Sequence, residues 1–163
     1  MRTSLEQHLG SRQVGKVVYG AIIGLALTVA IESHPPKPAV MVVWLLGTAL
    51  AVGLAEVYSE VVGAETSRRA PVTRPQLWHM FEDAVAVGAG VAYPAVLFVL
   101  SALGVMSIDT AFSVAKWTGL ALIGFYGFWA ARFAGAPTHR ALVKAVLVAL
   151  IGAGLIALKS LVH

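Results

Sequence analysis

Long uncharged apolar runs separated by short polar clusters set the pattern of this chain. Runs such as AIIGLALTVAI and AVLFVLSALGVM do not alternate in polarity, so they read as helices and not as strands. A helix needs roughly 20 mostly apolar residues to cross the hydrocarbon layer of a bilayer. Five segments approach that length when their ends extend by a turn: 17–33, 39–63, 80–106, 110–132 and 141–161. A transmembrane barrel requires strands with apolar and polar side chains on alternate faces, which these runs lack. The pattern therefore predicts an all-α integral membrane protein, with one membrane domain over residues 1–163 and short loops. The first apolar segment follows basic residues, as a signal peptide would. The sequence IESHPPKPA after it offers no clean small-residue cleavage site, so the segment is read as retained.

Composition agrees with the pattern. The 163 residues are 58 % hydrophobic and 12 % charged, too apolar for a soluble domain or a disordered chain of this size. Without cysteine, no disulfide or thiolate metal site can form. The net charge of +4 matters through its distribution. Arg2, Arg12, Lys16, Arg68, Arg69, Arg74, Arg132, Arg140 and Lys144 fall at loops of one side, and Lys37, Lys116 and Lys159 at the other. Basic residues concentrate on the cytoplasmic side of membrane proteins. The N-terminus is thus expected in the cytoplasm and the C-terminus outside or in a lumen, with a bacterial plasma membrane as the expected host. Lys16, Lys116, Lys144 and Lys159 sit where long stems reach headgroups, and Trp44, Trp78, Trp117 and Trp129 where ring anchors are common.

The second span carries the sharpest signal. Gly47, Ala51, Ala55, Ser59 and Gly63 recur every four residues and form a ridge of small side chains, a surface suited to close helix approach. Gly20 and Gly24 of the first span are candidates for the matching surface. Beside the ridge runs a row containing Glu56 and Glu60, one turn apart. A carboxylate at the centre of a membrane helix costs about 2.5–3.5 kcal/mol on insertion scales, so Glu56 calls for a partner, a proton or an ion. Glu60 is open to both a functional and an interfacial role, while Glu65 is read first as an interfacial partner of Arg68 and Arg69.

The third span opens Gln76-Leu77-Trp78-His79-Met80-Phe81-Glu82-Asp83, which sets His79 one turn from two acids on the side of Glu60 and Glu65. Carboxylates with one imidazole suit Fe²⁺, Mn²⁺ or Zn²⁺, and Met80 offers a soft ligand. The alternative is structural: Glu82 and Asp83 in a first helical turn, favoured by the helix dipole, with His79 bonded to Asp83. Pro94 is a candidate kink, and His34, among prolines, a loop residue. No nucleophile triad, phosphate loop or zinc-protease helix is present in the sequence, so no enzyme is expected.

The stretches GKVVYGAIIGLALTVAIES and LAEVYSEVVGAETSRR resemble the first two helices of the vacuolar iron transporter family, over roughly the first 65 residues. Ser59 and Gly63 fall where that family has a Ser and a Gly, and Glu56, Glu60 or Glu65 stands for its second-helix carboxylate. The resemblance implies a homodimer through the first two helices that exchanges Fe²⁺ or Mn²⁺ for protons. The chain departs from the pattern at Ile22, Ile23 and Gly24, where the family has an Asp, and at Glu60, where it has a Met. It also lacks the family's cytoplasmic metal-binding domain, as short members do. The leading expectation is a divalent cation/proton exchanger with metal ligands among Glu56, Glu60, Glu65, His79 and Glu82. It holds no permanent cofactor and binds no nucleic acid. A proton or monovalent cation channel and a non-transporting assembly subunit are the alternatives.

Overall fold

The computed structural model describes residues 13–162, so Arg2 and Arg12 lie outside the described residues, as does the side chain of Lys159. The described chain is helical throughout, without strands. Helix α1 covers Gln13–Ile31, α2 Pro38–Arg68, α3 Arg74–Ala92, α4 Ala95–Ala102, α5 Ile108–Phe133 and α6 Thr138–Val162. Helices α1 and α2 are long and apolar enough to cross a membrane, and α3 with α4 adds a third such unit if the bent pair is one span. Helices α5 and α6 occupy the places of the last two expected spans.

Local chemistry sets the breaks. Pro38 opens α2, where its missing N–H costs no helical hydrogen bond, and Arg69 closes the helix in the left-handed region at φ 52°. Helix α3 starts earlier than the apolar run: the Gln76 side chain accepts a hydrogen bond from the Thr73 backbone N–H at 3.1 Å, and Pro75 sits in its first turn. Glu82 and Asp83 therefore lie two turns inside α3, which removes the first-turn dipole account of these acids. The axis bends by 45° between α3 and α4, next to Pro94. A proline takes an N–H out of the helical ladder and its ring crowds the preceding turn. The Tyr93 hydroxyl donates to the Ala115 carbonyl at 2.8 Å and ties the bend to α5.

Helix α1 is the centre of the packing, held by α3, α5 and α6, while α2 rests on α3 and α4. Two apolar clusters result. Leu25, Ala21 and Val29 of α1 pack with Ile123 of α5, and Met41 and Leu45 of α2 pack with Phe98 of α4 and Phe112 of α5. The Phe98 and Phe112 rings meet edge to face with centroids 4.8 Å apart. Gly20 and Gly24 face α3, not α2: a Cβ at Gly20 would collide with the Val87 carbonyl, and one at Gly24 would lie 2.7 Å from the Val91 carbonyl oxygen. The small residues of α1 thus serve an intramolecular contact. All five ridge residues of α2 are exposed, so among the described residues no helix lies against the ridge.

Candidate functional site

The half-buried face of α2 carries the chemistry. Thr48, Val52, Glu56, Glu60 and Ala64 form the row just behind the exposed ridge, each partly covered. From Pro38 to Glu56 the helix climbs about 27 Å at about 1.5 Å per residue. That is close to the hydrocarbon thickness of about 30 Å. If α2 enters the apolar layer at Pro38, Glu56 and Glu60 lie at its far boundary instead of its middle. Lys16, three residues into α1, is at the same level.

Lys16 is the partner of both acids. Its ammonium contacts the Glu56 carboxylate and donates to Glu60 Oε1 at 2.6 Å, and all three side chains are about four-fifths buried. The geometry follows from helix periodicity: acids four residues apart share one face of α2, and a single ammonium with three N–H groups lies between them. Two carboxylates and one ammonium carry a net charge of −1 when all are ionised. At the expected snorkelling position, Lys16 turns inward and bridges the two acids, compensating one of their two charges. Its sequence signal was weak, a lone base in the described part of α1 and forty residues from Glu56.

A polar cleft of 390 Å³ opens beside Glu60 between α2 and α3. His79, Asp83 and Gln76 line it from α3, with Arg68 at the end of α2. His79 Nδ1 pairs with Glu82 Oε2 at 3.3 Å, on an exposed part of α3. Asp83 is buried. Glu65 is not paired with Arg68 or Arg69 as expected. Instead, its Oε1 accepts from the Val72 backbone N–H at 3.3 Å and fastens the turn into α3. The five expected ligands therefore fall into three places: Glu56 with Glu60 on Lys16, His79 with Glu82, and Glu65 on the loop. Among the described residues, no group of three or more His, Asp and Glu side chains is arranged to hold a metal ion.

At the other end of α1, Lys116 of α5 donates to Glu32 Oε1 at 2.5 Å, with the two side chains 21 % and 29 % exposed. Lys116 is thus paired to protein instead of reaching freely to headgroups. Helix α1 carries an ionic bridge at each end, one to α2 and one to α5.

An all-helical chain with two or three helices able to cross a membrane, and with charged clusters beside them, is a membrane protein by its physical chemistry. No family model, curated protein or solved structure matches it.

Proposed function

We propose that the chain is a multi-pass membrane cation transporter with five spans, its N-terminus in the cytoplasm of a bacterial cell. In this reading it works as a homodimer through its first two helices and exchanges a divalent ion such as Fe²⁺ or Mn²⁺ for protons. One observation carries the proposal: Glu56 and Glu60 share the Lys16 ammonium, and Glu60 borders a polar cleft lined by His79 and Asp83. Oxygen and imidazole donors suit these ions. An arriving cation displaces the Lys16 ammonium from Glu60 and then from Glu56, and protonation of the carboxylates releases it again. His79 stands along the cleft, and Glu82 and Glu65 add negative potential around its opening. The resemblance to the vacuolar iron transporter family supports the choice of ion and exchange mode.

Counter-flux in proteoliposomes tests this. Vesicles loaded with a metal-sensitive dye and placed under a proton gradient are given Fe²⁺, Mn²⁺, Zn²⁺ or K⁺, with wild type compared with Glu56→Gln. Proton-coupled entry of a divalent ion that disappears in the variant is the expected result. Absence of any cation flux overturns the proposal.

A second reading has its own support. Lys16 already bridges both acids, and the small-residue ridge of α2 is exposed, as a non-transporting assembly subunit would require. That reading expects Glu56→Gln to alter oligomer formation with no flux in either protein.

A further inference from the structure

The face of α3 away from the Glu60 cleft borders another recess, an open groove among α1, α3 and α5 measuring 570 Å³. Four aromatic side chains stand along it: Trp78, Phe81 and Tyr93 from the α3 arm and Tyr126 from α5. Among the described residues, Glu82 is the only charged side chain in its lining. Neither Glu56 nor Glu60 borders it; of the acids in the proposed transport path only Glu82 does.

The walls are held in place. Gly90 forms part of the lining where α1 and α3 touch through their backbones: a Cβ there would lie 2.7 Å from the Ala21 nitrogen. The Tyr93 ring is fixed through its hydroxyl on the Ala115 carbonyl, in a space that a Cβ on Gly119 would fill. His79 holds one oxygen of Glu82 from outside the recess. Trp78 and Phe81 are 61 % and 50 % exposed, so the recess is entered past two rings at the Arg74 end of α3.

Such a lining selects by charge and shape. Aromatic faces attract cations through the ring quadrupole, and the Glu82 carboxylate, 41 % exposed, adds an attraction for positive charge. A hydrated divalent ion gains nothing from the rings, and an anion is repelled by Glu82. The volume falls within the range of about 300–1,000 Å³ common for small-molecule sites. We propose that this recess binds lipophilic organic monocations, with the apolar body against Trp78, Phe81 and Tyr126 and the charge beside Glu82.

Equilibrium dialysis of the purified full chain in neutral detergent tests this, with radiolabelled tetraphenylphosphonium as probe and, in separate cells, radiolabelled tetraphenylborate as an anion of the same size. The expected result is saturable binding of the cation, none of the borate, and a weakening of cation binding by at least tenfold in Glu82→Gln and in Trp78→Ala. Glu56→Gln should leave it within twofold of wild type. Because Trp78 is exposed, its variant should keep the wild-type circular dichroism spectrum, which separates a lost site from a lost fold. Equal binding of the borate in its own cells, or unchanged cation affinity in Glu82→Gln, overturns the proposal. So does displacement of the probe by phosphatidylethanolamine but not phosphatidylcholine, which would assign the recess to a lipid headgroup.

Discussion

Helix α1 meets its neighbours α3 and α2 by opposite means. Against α3 the contact is backbone on backbone: Gly20, Gly24 and Gly90 leave out side chains so that the two helices touch, and their surfaces fit along most of their length. Against α2 there is little packed surface, and the Lys16 bridge to Glu56 and Glu60 spans the gap. A close-packed contact has no room for change and no reason to open. An ionic bridge across a loosely packed boundary exchanges its partners for protons, ions or water at a smaller cost, which is the property a site for a moving cation needs.

The largest effect is therefore expected at the tight contact. Gly20→Ala places a methyl group where the Val87 carbonyl already stands, and rigid backbone must shift to admit it. A loss of about 3 kcal/mol or more in stability is expected, read from the midpoint of helix loss on titration with a denaturing detergent. A variant as stable as wild type would mean that α1 and α3 are not in contact at Gly20.

Next comes Lys16→Met. Breaking a buried ion pair by removing one partner costs about 3–5 kcal/mol, and exposure of about a fifth lowers this to about 2 kcal/mol. The loss should be largely recovered in Lys16→Met combined with Glu56→Gln and Glu60→Gln, because the uncompensated charges are removed as well. If the triple variant is no more stable than the single one, the bridge acts through packing and not through charge.

The difference between the two contacts also governs what could be read from the sequence. Helices were legible because apolar runs and the Pro94 break are local signals, and the 45° bend falls where that proline predicts. The carboxylate pair was legible because residues 56 and 60 share a helix face whatever the tertiary fold. Their partner was not, since no local pattern records which distant helix brings a base to that face. The same holds for Lys116 and Glu32, 84 residues apart. The glycines of α1 were recognised as a contact surface, but the motif does not name the surface opposite, and α3 took the place expected for α2. The start of α3 was placed too late because Thr73 and Gln76 begin the helix before its apolar run does.

At the far end of α1 the effect should be smaller. Lys116→Met leaves one carboxylate, Glu32, without this partner, at a position more exposed than the Lys16 cluster. A loss of about 1 kcal/mol is expected, half that of Lys16→Met, in the same detergent titration. A larger loss than for Lys16→Met would reverse the ranking of the two bridges and place the firmer ionic contact at the Glu32 end.

The smallest effect has the opposite sign. Gly47 lies on the exposed ridge of α2, and a Cβ built there meets nothing within 4 Å. Alanine restricts the unfolded backbone more than glycine and favours the helix by about 0.8–1.0 kcal/mol in a helix interior. With no neighbour to displace, Gly47→Ala should raise stability by up to that amount, whereas the same substitution at Gly20 lowers it. The pair of measurements isolates the effect of a neighbour, since both positions are helical and both changes add one methyl group. A loss of stability in Gly47→Ala that grows with protein concentration would mean that a second chain lies against the ridge and that its small residues serve assembly. A gain independent of concentration would leave the ridge facing its surroundings, and would place the firm contacts of this protein on the α3 side of α1.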